Sequence, residues 1–97
     1  MVAKIGADAV ASRIGEVPGW SYDAPGDALF REITLKDFSE AFALMTRIAI
    51  AAEQADHHAE WSNVYNRITI RLTTHDAGGV SERDFALAAR INAFLGE

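Results

Sequence analysis

Apolar residues in the middle of the chain recur at helical spacing. Phe38, Ala41, Phe42, Met45, Ile48, Ala49 and Ala52 fall on one stripe, which predicts a helix from Asp37 to about Asp56. Asp37 followed by Glu40 supplies an N-terminal cap. Further on the period changes to two: Ile68, Ile70 and Leu72 alternate with Thr69, Arg71 and Thr73, the signature of a strand with one buried face. Trp61 to Tyr65 reads as its partner, with Asn66-Arg67 as the tight connection and Asn63, Tyr65 and Arg67 as the residues that fix it. Near the start, Ile5, Val10, Ile14 and Val17 predict a short helix that Pro18-Gly19 breaks. Trp20 to Tyr22, the turn cluster Asp23 to Asp27, and Leu29 to Thr34 then form a hairpin. After Gly78-Gly79, Ser81 with Asp84 forms a capping pair for a last helix carrying Phe85, Leu87, Ala88, Ile91, Phe94 and Leu95.

The element order is therefore α-β-β-α-β-β-α. Short turns force neighbouring strands to run antiparallel, so the expected fold is α+β: a four-stranded antiparallel sheet with three helices on one face. The other face is left uncovered. With 97 residues and no linker, repeat or low-complexity stretch, the whole of 1–97 reads as one domain. A domain of this size buries only roughly 60–65% of its unfolded surface, so self-association is an expected source of further burial.

Charge and composition narrow the function. Nine Lys and Arg against fourteen Asp and Glu give a net charge of -5, which argues against direct nucleic-acid binding. No apolar run has the length to span a bilayer, and Met1 to Ile5 lacks the order of a signal peptide, so the expected location is cytoplasmic, away from membranes. The absence of cysteine excludes disulfides, thiolate metal sites and a cysteine nucleophile.

The chemical signal is a cluster of histidines. All three, His57, His58 and His75, lie within one short span beside Glu53, Asp56, Glu60 and Asp76. Imidazoles that titrate near neutrality can donate and accept protons in one reaction, with carboxylates fixing their tautomers. The same residues would also serve as surface caps at a helix end. A metal site is disfavoured, because adjacent His57 and His58 on a helix point roughly 100° apart. No nucleophilic serine motif or glycine-rich phosphate loop is present. Trp61 offers a stacking surface or a core residue, Thr73 and Thr74 offer hydroxyls at a strand end, and Asp84 reads as a cap rather than a catalytic group.

Taken together, Glu53-Gln-Ala-Asp-His57-His58-Ala-Glu-Trp61-Ser-Asn-Val-Tyr65-Asn, Leu72-Thr-Thr-His75-Asp76-Ala-Gly-Gly and Ser81-Glu-Arg-Asp84 resemble the pterin-4a-carbinolamine dehydratase family. The likeness runs from about Pro18-Gly19-Trp20 through Lys36-Asp37-Phe38 and Met45-Thr46-Arg47 to the last helix. It implies a hydro-lyase that dehydrates 4a-hydroxytetrahydropterin to quinonoid dihydropterin, with no metal or cofactor. It also implies a functional link to an aromatic amino-acid hydroxylase. By that resemblance His57, His58 and His75 are the catalytic residues, with Glu53 and Asp76 supporting them. Glu53, one turn before His57, would orient it. Asp56, Trp61, Thr73, Thr74, His75 and Asp76 would join the paired histidines in binding the pterin. The family typically has proline where this chain has Ala59. Members assemble as homodimers or homotetramers, and some bind the dimerisation helix of a transcription factor, so the competing expectation is a non-catalytic protein-binding module.

Overall fold

The computed structural model describes residues 2–97. Helix α1 spans Ala7–Arg13 and runs into a single 3-10 turn, Ile14–Glu16, ahead of Pro18. Strands β1 (Ser21–Asp23) and β2 (Ala28–Thr34), helix α2 (Phe38–Ala55), strands β3 (Glu60–Val64) and β4 (Arg67–Leu72), and helix α3 (Glu82–Phe94) complete the expected order. The sheet is four-stranded and antiparallel, in the order β1-β2-β4-β3. Strand β4 is thus central, and β2, α2 and β3 form a β-α-β unit split by its insertion.

Alternation sorts the two faces of the sheet. Leu29 and Ile33 of β2 and Ile68, Ile70 and Leu72 of β4 are buried against the helices, together with Leu44 and Ile48 of α2 and Ile91 of α3. The opposite face carries Asp23, Phe30, Glu60, Thr69 and Arg71 by register, and among the described residues no helix covers it.

Three expectations are corrected. The buried stripe of α2 is Ala41, Leu44, Ile48, Ala51 and Ala52, whereas Phe38 and Phe42 are exposed, as is Ala49, and Met45 is half-buried. The apolar surface of this helix is wider than one core-facing stripe, and α3 and β4 select the part centred on Leu44 and Ile48. The β3–β4 turn is Tyr65-Asn66 rather than Asn66-Arg67, because Arg67 already pairs with Val64 and Tyr65 takes up the left-handed conformation. The Nδ2 group of Asn63 donates to the carbonyls of Tyr65 and Arg67, at 3.0 and 2.9 Å, and so fixes that turn. Lastly, Glu53 does not meet His57: α2 closes at Asp56, where the sequence places its end, and the chain leaves the helical path before His57.

Candidate active site

Two chain exits create the site. Because β3 and β4 are antiparallel, with Glu60 opposite Arg71, the residues just before β3 and just after β4 come to one end of the sheet. The first group is Asp56, His57 and His58; the second is Thr73, Thr74, His75 and Asp76. Together with Arg83 of α3 they line an open pocket of about 230 Å³, room for a small planar heterocycle.

The end of α2 sets the directions of the paired histidines. Asp56 adopts the left-handed conformation, φ 50° and ψ 43°, and its N–H donates to the carbonyl of Glu53 while that of His57 donates to Ala52. This is a Schellman closure, with aspartate in the place that glycine usually fills. The helical spacing from Glu53 to His57 is therefore broken. Glu53 contacts Nε2 of His58, at 2.7 Å, and not His57, which corrects the expected pairing.

His57 is the buried member. Its Nε2 lies 2.5 Å from Oδ1 of Asp84, a residue with no solvent exposure. Oδ2 of Asp84 accepts from the Thr74 hydroxyl at 2.7 Å and from the backbone N–H of Ser81 at 2.9 Å. Since Thr74 donates to Asp84, the 2.6 Å contact between Thr74 and Ser81 is a hydrogen bond from the Ser81 hydroxyl. With its carboxylate accepting throughout, Asp84 sets His57 with the proton on Nε2 and leaves Nδ1 as the free basic nitrogen. Asp84 lies in the first turn of α3. One residue thus caps the helix and orients a histidine 27 positions away in sequence.

His75 opens a 3-10 turn, His75–Ala77, that also presents Asp76 to the pocket. Its ring is largely exposed. The segment is pinned from below by Asp27, whose carbonyl accepts from the Thr73 hydroxyl at 2.9 Å and whose carboxylate receives the N–H of Val80. The Tyr22 hydroxyl donates to the same carboxylate at 2.8 Å; burial and this acidic neighbour push the phenol up to about 12.

Most of the residues expected from the sequence therefore meet: Asp56, His57, His58, Thr73, Thr74, His75 and Asp76 all line the pocket. The hydroxyls of Thr73 and Thr74 donate within the protein, so both serve the scaffold. Trp61 does not join the group. Strand alternation sends it to the helix side, where it borders a shallow apolar depression with Phe42, Met45, Thr46 and Ala49, so its expected place in the ring-binding pocket is corrected. Asp84 and Arg83 enter the site without having been singled out as chemical groups. The Ser81-x-x-Asp84 spacing was signal enough for the cap, but only the packing of α3 beneath His57 reveals the second role.

Comparisons with known proteins identify the family. The family model for pterin 4 alpha carbinolamine dehydratase matches residues 3–94. A protein of Rhizorhabdus wittichii, provisionally named a pterin-4-alpha-carbinolamine dehydratase, is 57% identical over 83 residues, covering 86% of either chain. One of Rhodospirillum rubrum with the same provisional name is 44% identical over 96 residues, covering 99% of this chain and 100% of that one. The crystal structure of a transcriptional coactivator/pterin dehydratase from Brucella melitensis superposes with a TM-score of 0.89 at 37% identity, covering 93% of this chain and 96% of the other. The likeness thus extends from α1 to α3 and includes both segments that carry histidines, and the chain belongs to the pterin-4a-carbinolamine dehydratase family.

Proposed function

We propose that the protein is a hydro-lyase that converts 4a-hydroxytetrahydropterin, the oxidised pterin left by an aromatic amino-acid hydroxylase, to quinonoid dihydropterin and water by histidine acid/base catalysis, a step in the recycling of tetrahydropterin. The observation that carries this is the convergence of His57, His58 and His75 on one polar pocket, with His57 held by the buried Asp84. Family membership supports the substrate class.

The reaction needs two proton movements. The C4a–O bond breaks with its electron pair going to oxygen, which takes a proton from an acid and leaves as water. A base removes the proton from the adjacent ring nitrogen, whose electrons close the new C=N bond. His57 and His75 are assigned this acid/base pair, and His58 the binding of the ring or action on its other face. Nδ1 of His57 is the nitrogen free to exchange a proton, since Nε2 engages Asp84. Asp76 positions the ring by a hydrogen bond, and Asp56 borders it. No metal or organic cofactor has a part in these steps. The catalytic unit is the whole of 1–97 as one domain, working in the cytoplasm; one connected apolar core joining all three helices to the sheet supports that division. No helix is long and apolar enough to cross a membrane among the described residues.

Measured turnover of His57→Ala, His58→Ala and His75→Ala tests the assignment. A loss of kcat of about 100-fold or more in His57→Ala or His75→Ala is expected for removal of a general acid or base, and undiminished rates in all three would refute it.

Exposed Phe38, Phe42 and Ile50 on α2 support assembly as a homodimer or homotetramer, which light scattering distinguishes from a monomer. The same apolar surface favours a second reading, a non-catalytic module that stabilises dimers of a transcription regulator. That reading requires a folded protein that binds such a helix and fails to accelerate the dehydration.

A further inference from the structure

Each histidine of the pocket has its own carboxylate: His57 has Asp84, His58 has Glu53, and His75 has Glu60. We propose that Glu60, through its contact with His75, is a positioning residue for the dehydration, a proposal that rests on the reading of the pocket given above. Oε2 of Glu60 lies 2.9 Å from Nε2 of His75. The two differ in their mechanical setting. Glu60 opens β3 in direct register with Arg71 of the central strand, whereas His75 stands on a single 3-10 turn with its ring 81% exposed. An exposed ring without a partner samples several rotamers, and holding one of them has an entropic cost.

Glu60 is itself held. Its Oε1 lies 3.6 Å from Nε of Arg71, and Arg71 donates through Nη1 to Asp23 at 2.6 Å and through Nη2 to the carbonyl of Gly26 at 3.2 Å. The Arg71 guanidinium holds the Asp23 carboxyl below the usual carboxylate range. A ladder of alternating charge therefore crosses the open face of the sheet from Asp23 through Arg71 and Glu60 to His75. Its last step reaches the pocket from outside. Glu60 borders a neighbouring depression with Gly26, Arg71 and Gly78, and it does not line the pocket of His57 and His58; Thr73 and His75 border both. Glu60 thus aims the imidazole from behind and pairs with the imidazolium once the ring has taken up a proton, without touching a ring bound among the histidines.

The test compares Glu60→Ala and Glu60→Gln with the unaltered full chain. For an exposed pair, kcat is expected to fall about two- to fivefold in Glu60→Ala, less in Glu60→Gln, with KM unchanged. Ring nitrogen resonances of His75 in a 15N-labelled sample shift in Glu60→Ala, while those of His57 do not. A purely structural role would lower the melting temperature and leave these resonances in place. Unchanged kcat together with unchanged His75 resonances would overturn the proposal while leaving the dehydratase reading intact. If the unaltered protein has no turnover, the dehydratase reading itself fails and the catalytic role of Glu60 falls with it, whatever the His75 resonances show of the contact. Should Glu60→Ala fail to fold, the isosteric Glu60→Gln carries both comparisons.

Discussion

At the scale of residues, Asp84 is where structure adds most to sequence. Its place three residues after Ser81 announces a capping box, and that box is present. Nothing in the spacing tells that the same carboxylate also meets His57, because the contact arises from α3 packing under the chain that leaves α2. Asp84→Asn separates the two roles. The amide keeps the shape but brings an N–H group into a site built from donors, so stability is expected to fall by about 1–3 kcal/mol in thermal unfolding. Turnover should fall further than stability explains, by about tenfold or more, because the tautomer of His57 is no longer fixed. Glu53 shows the opposite limit of the sequence. Its helical spacing to His57 is sound only while the helix lasts, and the left-handed Asp56 ends it one residue too soon.

At the scale of elements, periodicity located the three α-helices and β4, turn signals located the other strands, and the 3-10 turn at His75–Ala77 had no sequence signal of its own. Strand β4 was legible because Ile68, Ile70 and Leu72 alternate without a break, whereas the central position of β4 was not, since hairpins define their own pairs and not which edges adjoin. For α2 the apolar residues outnumber those the core can take, so the sequence left open which of them face inward. Two loops that carry the site yield predictions. A side chain on Gly79 would run into the Asp27 carboxylate, which also receives Tyr22 and the N–H of Val80. Gly79→Ala should therefore cost about 1–3 kcal/mol in denaturant unfolding and disturb His75 along with it. Ala59, where the family typically has proline, follows the histidines and precedes β3. Ala59→Pro is expected to raise stability by about 0.5–1 kcal/mol by restricting the unfolded chain, and to change the rate without abolishing it. A loss of stability would mean that the backbone at Ala59 does not suit proline.

At the scale of the whole molecule, acidic groups balanced by arginines tie the termini and sheet together. Arg71, Arg13 and Arg31 hold Asp23, Glu82 and Glu97, respectively, below the usual carboxylate range. A carboxyl whose folded pKa is depressed contributes stability above its unfolded value and loses it as pH falls through the folded one. Melting temperature should accordingly hold steady from neutrality to about pH 5 and decline below about pH 4, more gently in high salt. Tyr22 works at the other end: its folded pKa is raised from 10.0 to about 12, so its contribution is intact below pH 10 and is lost as pH rises toward 12. A melting curve that kept its midpoint through both windows would contradict these pairings.

The central claim, that the three-histidine pocket dehydrates a 4a-hydroxytetrahydropterin by proton transfer alone, is tested most directly by following quinonoid dihydropterin formation from freshly generated substrate. Chelator-treated protein is compared with the spontaneous rate and with the His57→Ala, His75→Ala double variant. Acceleration that survives chelation and disappears in the double variant is the predicted result. A folded, unaltered protein that leaves the spontaneous rate unchanged, or a double variant as fast as the parent, would contradict it.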